Sequence, residues 1–175
     1  MRFTVTGEWD RNRLLQVVVV LYCFFVALLW LTNWMLYFDS MDFTTASVVN
    51  HYLGNEAEFR AARSYRGMVE VAHFHLFAMG MLMMVLTHLA LFVPVRTEIK
   101  IALIVVPFFA AFASEGAGWL VRWGGAGFAW TKIAGIILLQ GSLAALVLIA
   151  LWSVFVGHQA ENYSGGEELD DEDWD

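Results

Sequence analysis

Four stretches of this chain, Leu14 to Phe38, Met68 to Val93, Ile101 to Trp123 and Phe128 to Val156, are each apolar for long enough to cross about 30 Å of hydrocarbon as a helix. Inside lipid every backbone amide and carbonyl must be satisfied within its own segment, which selects helices over open strands. The sequence therefore predicts an all-α membrane protein, a four-transmembrane-helix bundle with a short helical outer loop. Composition agrees, because 59% hydrophobic residues and a mean hydropathy of +0.61 exceed what a soluble domain carries, and the 15% charged share falls below it. The first run is too long for the apolar region of a removable signal peptide, and no small-residue cleavage pattern follows it, so the amino terminus is expected to be retained.

An even number of crossings puts both termini on one side. Arg2, Arg11 and Arg13 before the first helix, with Arg96 and Lys100 between the second and third, make that side the cytoplasm, against the opposing Arg60, Arg63 and Arg66. The expected location is a bacterial inner membrane crossed several times. Residues 1–160 read as the four-helix domain and 161–175 as an acidic disordered tail. The formal charge of −7 comes from that tail, where Glu161, Glu167, Glu168, Asp170, Asp171, Glu172, Asp173 and Asp175 follow the last apolar run. The ten basic residues form no stripe, which excludes nucleic acid as a partner. Cys23, the one cysteine, rules out an intrachain disulfide or a thiolate cage.

The 39–67 loop is the one sizeable element outside the membrane and the expected contact for other subunits. Within it Asn55 and Glu58 resemble a capping box, predicting a short surface helix that carries Glu56, Phe59, Arg60, Arg63 and Tyr65. Its arginines could grip lipid phosphate or a partner protein, although a solvated helix face explains them as simply.

Ionisable residues in the hydrocarbon region cost at least about 2.5 kcal/mol and usually face the bundle interior, so they are the informative ones. The second helix carries Glu70, His73, His75 and His88. At about 100° per residue Glu70, His73 and His88 share a side, while His75 lies roughly opposite. Counting about 1.5 Å per residue, His73 and Glu115 reach one level, on the order of 10 Å deep, and Lys132 on the fourth helix reaches a similar level. These positions predict a polar outer-leaflet pocket. His75, His51 and His158 read more simply as packing residues, as does the Met79, Met81, Met83 and Met84 cluster.

Three chemistries suit such a pocket. A quinone would be held by His73 and would hand protons to Glu115 or Glu70, with Lys132 balancing charge. A metal- or proton-handling membrane protein could use Glu70-x-x-His73, whose i, i+3 spacing occurs in carboxylate-bridged helical bundles, together with Glu115, and His88 is a further candidate metal ligand. Alternatively the polar groups are helix glue in a non-catalytic anchor or assembly subunit, with Glu115 paired to Lys132 or Arg122. Haem b is a further candidate, since imidazole is a common axial ligand: His73 and His88 would serve opposite ends of the bundle, with Met84 or His158 as partners.

The segment from Glu70 to His88 resembles the membrane subunits that bind b-type haem and exchange electrons with quinones, the b561-like and formate dehydrogenase gamma-type anchors. The resemblance covers the four-helix plan and histidines near both ends of one helix. It does not cover the ligand pattern, because those families place histidines on facing helices, and here the first and third helices have none. It implies electron transfer between quinone and a partner subunit, with His73 and His88 as axial ligands.

Overall fold

The computed structural model describes residues 13–93 and 95–164, with side chains placed as far as Phe155. Most of the acidic tail, Arg2, Arg11 and Pro94 lie outside the described residues, and so does the side chain of His158. Four helices are long and apolar enough to span a membrane: α1 (Arg13–Ser40), α3 (Tyr65–Ala90), α4 (Thr97–Trp119) and α5 (Ala129–Ser164). A short α2 (Thr45–Leu53) lies between α1 and α3. The four spans stand where the apolar runs place them, with shifted ends: α3 starts earlier and stops at Ala90, α5 runs on to Ser164, and α4 continues through a π turn at Leu120–Gly124. Below, the end of the bundle that carries residues 39–67 is called the loop end.

Helix α5 is the axis of the bundle and packs against α1, α3 and α4. Its buried residues, Ile136, Leu139, Gln140, Leu143, Leu146, Ala150 and Val154, recur at helical spacing and form one continuous stripe. Facing it, α4 buries Ala110, Ala111, Ser114, Ala117 and Gly118, all small, so the two backbones approach closely. A methyl group added at Gly135 would stand 2.9 Å from the Ser114 Cα. On α1 the buried stripe is Val19, Cys23, Val26 and Tyr37, flanked by half-buried Val20, Tyr22, Trp30 and Trp34 that pack against the core, while most of the other apolar side chains face outward. A polar clasp joins α1 to α5: Trp30 Nε1 donates to the Gln140 carbonyl at 2.9 Å, and Gln140 Nε2 donates to the Trp30 carbonyl at 3.4 Å.

The surface helix predicted from Asn55 and Glu58 is not what forms. Asn55 caps only a single 3-10 turn, Glu56–Glu58, by accepting from Ala57 N–H. Phe59 then takes a left-handed conformation, φ 53°, and Asn55 and Arg60 exchange backbone hydrogen bonds of 2.8 and 2.9 Å. That tight loop stops helical propagation. The loop helix lies earlier, as α2, whose N-cap Thr44 accepts from Ser47 N–H while Asp42 Oδ1 accepts from Thr44 N–H at 2.7 Å. Helix α2 buries Val48 and Tyr52 across the loop end of the bundle, and the Tyr52 ring fills the notch left by Gly118. Gly54 is required between α2 and the tight loop: its φ is +85°, and a Cβ there would come within 2.6 Å of the Arg60 carbonyl oxygen.

Two aromatic groups ring the loop end. Trp34, Tyr37, Phe38 and Phe43 pack edge-on and stacked at the end of α1. Trp119 and Trp123 stack with centroids 4.9 Å apart, and Tyr65 meets both edge-on. Such rings settle at headgroup level, which places residues 39–67 at the membrane surface.

Candidate functional site

Three polar side chains from three helices converge on the loop-end half of the bundle. Glu115 projects from α4 beside Ser114, the residue pressed against Gly135. His75 on α3 meets it, with Nδ1 3.1 Å from Glu115 Oε2. From α5, Lys132 Nζ donates to the Ser114 carbonyl at 2.8 Å, which brings its ammonium close enough to act electrostatically on Glu115. Glu115 is enclosed, with a side-chain exposure of 17%, whereas His75 is 55% exposed. The pair is therefore asymmetric: a carboxylate held inside by a cation, capped by an imidazole open to the lipid side. A Cβ at neighbouring Gly116 would meet nothing within 4 Å, so there is room beside the carboxylate.

Local packing explains the opening. From Val69 to Ala78 the residues of α3 are exposed or half-buried, and tight burial resumes at Met83, Leu86 and Thr87. Phe74 and Phe77 in that stretch, and Phe109 and Phe112 on α4, present rings outward. The imidazole of His75 stands among lipid-facing surfaces.

The expected convergence of Glu115 and Lys132 is what the structure contains, but the histidine that joins them is His75 and not His73. Helical rotation separates the two, and the side of α3 turned toward α4 is the one that carries His75. His73 is exposed and stands edge-on to Phe74, with centroids 5.6 Å apart. Glu70 is held by Arg66 at 2.8 Å, one helical turn away, on the exposed surface. His88 is exposed near the other end of α3, edge-on to Phe92, and Met84 is 53% exposed. His73 and His88 are separated along α3 by roughly 22 Å, at about 1.5 Å per residue.

These positions decide how implied cofactors would fit. A haem within a bundle needs two donors facing one another across the porphyrin. His73 and His88 stand on the exposed side of one helix, and α1, α4 and the part of α5 up to Phe155 contain no histidine. They do not make a haem cleft inside this bundle; a haem held by either would lie at its surface and take its second axial donor from elsewhere. Among the described residues no group of three or more His, Cys, Asp or Glu side chains could hold a metal ion, and Glu70 of the Glu70-x-x-His73 motif is turned to Arg66. A quinol headgroup fits the His75 and Glu115 arrangement better, because an exposed imidazole backed by a carboxylate offers a hydroxyl an acceptor and its proton a destination.

Two further residues matter. Gln140 is 1% exposed, and its Oε1 has no hydrogen-bond partner. Its signal in the sequence is plain, a lone amide in an otherwise apolar run. His51, on α2, accepts from Arg63 Nε at 3.2 Å through Nε2, and a hydrogen bond with the Ser40 backbone engages the ring as well. Burial, reinforced by the charges of Arg63, Lys132 and Arg60, pushes its pKa down to about 4, and the Ser40 bond only partly opposes them. His51 is neutral at pH 7.

The fold thus defines a multi-pass α-helical membrane protein with a polar constellation in the loop-end half of its bundle. Residues 42–162, more than half of the chain, match the family model of a transmembrane helical domain, Aq_1264_TM, and the chain belongs to that family. The match begins just after α1. No curated protein and no solved structure matches the chain.

Proposed function

We propose that this protein is the membrane subunit of an electron-transfer complex and that it binds a lipid-soluble quinone at His75 and Glu115. The observation that carries the reading is the 3.1 Å contact between an exposed His75 and an enclosed Glu115, with the Lys132 ammonium behind it. A bound quinone supplies two-electron, two-proton chemistry. The chain's part is to hold and move the proton. With Nδ1–H donating to the Glu115 carboxylate, His75 presents Nε2 to the lipid side as an acceptor for a quinol hydroxyl and its proton, and once protonated there it donates to a quinone carbonyl. Glu115 is the proton acceptor behind it, and Lys132 favours its return to the ionised state.

The subunit part of the reading draws on α3. Glu70, His73 and His88 face outward from it, and ionisable groups in contact with hydrocarbon are costly unless water or another chain covers them. Electrons would pass to a redox centre of that partner, and a haem b on His73 or His88 belongs to the same interface. The alternative, a non-catalytic anchor, draws on the way Lys132, Ser114, Glu115 and His75 already satisfy one another as helix glue.

The test is binding of a short-chain quinone to the protein in lipid nanodiscs, read by tryptophan fluorescence, for wild type, His75→Phe and Glu115→Gln, beside a reduced-minus-oxidised visible spectrum. The quinone reading expects saturable binding weakened about tenfold or more in His75→Phe, the loss of one hydrogen bond to a buried acceptor. Equal binding in folded variants selects the anchor reading. A b-type band that disappears in His73→Ala or His88→Ala would add haem.

A further inference from the structure

At the loop end, outside the His75 and Glu115 site, a cleft of about 450 Å³ opens between the end of α1, α2 and the segment leading into α3. Its walls carry Asp39 and Ser40 from α1, His51 from α2, and Arg60, Arg63 and Ser64 from the tight loop. That volume is within the range of small-molecule sites. Nothing in the quinone reading uses it.

The cleft is built rather than incidental. The backbone of Arg63 is fixed twice, its N–H donating to the Tyr52 carbonyl at 3.1 Å and its carbonyl accepting from Arg122 Nε at 2.8 Å. One edge of its guanidinium rests on His51, which leaves the remaining N–H groups for a ligand. His51 is uncharged, so it stiffens Arg63 without adding a proton of its own. Arg60 is set by the paired backbone of Asn55 and the left-handed Phe59, and no carboxylate among the described residues pairs with Arg60 or Arg63. Lys132 lies near enough to add to the positive field at His51. One guanidinium held on His51 and a second carried on a fixed backbone, neither paired with a carboxylate among the described residues, suit the oxygens of a phosphate, which guanidiniums bind through paired N–H donors. Asp39, which lines the cleft from the end of α1, is the complementary charge.

Height in the membrane selects the ligand's setting. Ser64 lines the cleft and is followed at once by Tyr65, which packs on Trp119 and Trp123 at headgroup level. We propose that this cleft recognises a phosphate that carries a neighbouring ammonium, the phosphoethanolamine group of a lipid or of a soluble molecule, with Arg60 and Arg63 on the phosphate and Asp39 on the ammonium.

The experiment is native mass spectrometry of the detergent-solubilised full chain, titrated separately with phosphatidylethanolamine, phosphatidylglycerol and free phosphoethanolamine. Wild type is expected to retain phosphatidylethanolamine over phosphatidylglycerol, and Arg60→Gln, whose side chain holds no other element, to weaken that retention about tenfold, the scale of one charge-assisted contact. Arg63→Gln should weaken it further, and Asp39→Asn should abolish the preference between the two lipids. Retention of the free headgroup with the same Arg60 dependence would make the ligand soluble; retention of the lipid alone makes it a membrane component. A thermal melt of each variant separates loss of binding from loss of fold. Retention unchanged in a well-folded Arg60→Gln, or equal retention of both lipids by wild type, overturns the proposal.

Discussion

Substituting Gly135 by alanine tests the packing that positions the polar site. The added Cβ would stand 2.9 Å from the Ser114 Cα and 3.1 Å from its backbone nitrogen. Carbon atoms in good contact sit about 3.5–4.0 Å apart, so α4 and α5 must separate by roughly 0.6 Å or more. No side chain can turn aside, because the obstacle is main chain. Overpacking of this kind costs about 1–3 kcal/mol. The displacement also stretches the bond from Lys132 Nζ to the Ser114 carbonyl, one residue from Glu115. Gly141→Ala on the same helix is the control, since a Cβ there meets nothing within 4 Å. Reversible unfolding of both variants in mixed detergent, by circular dichroism, should show Gly135→Ala destabilised by that amount and Gly141→Ala close to wild type. If the two variants unfold alike, the close approach of α4 and α5 is refuted.

Further outcomes concern other parts of the fold. Gln140→Leu should change stability by less than about 1 kcal/mol, or raise it, because the amide removed leaves Oε1 without a partner in the native state and the Trp30 bond to the Gln140 carbonyl survives; a loss above about 3 kcal/mol in the same unfolding assay would mean that the clasp depends on the side chain. His51 has a folded pKa of about 4 against 6.5 in its ordinary state. Because the unfolded form binds the extra proton first, loop-end stability is full above about pH 6.5 and falls as pH drops toward 4. With the ring partly open to solvent the loss is on the order of 1 kcal/mol; hydrogen exchange of α2 amides as a function of pH should show it, and His51→Gln should flatten that profile. Thr44→Ala should destabilise α2 by about 1 kcal/mol, the usual loss of an N-cap, read from the same amides.

What the sequence disclosed follows from which forces are local. The four spans were legible because lipid demands long apolar helices whatever they pack against, and the boundaries moved by only a few residues except at the end of α5, which runs on to Ser164. Glu115 and Lys132 were legible for the same reason, as charges at similar depth. The choice between His73 and His75 was not, since it depends on how α3 is rotated against α4, which the pattern of α3 alone does not fix. The outward side of α3 reads as polar at both ends, and an expectation that ionisable groups face inward turns that side the wrong way. In the loop, Asn55 does act as a cap, but left-handed Phe59 and the Asn55 and Arg60 pairing halt the helix after one turn. The true loop helix, α2, has only Val48, Val49 and Tyr52 to mark its buried side, too short a run to outweigh a capping motif. The cleft beside His51 has no sequence signature, because Asp39, His51 and Arg63 meet only after the chain has folded back.

The most direct test of the quinone site is photolabelling in lipid nanodiscs with an azidoquinone, followed by peptide mapping. Label is expected on α3 and α4 around His75 and Glu115, competed by excess unlabelled quinone and lost in His75→Phe. Label spread evenly over the lipid-facing residues of all four helices, unaffected by competitor or by the substitution, would contradict it.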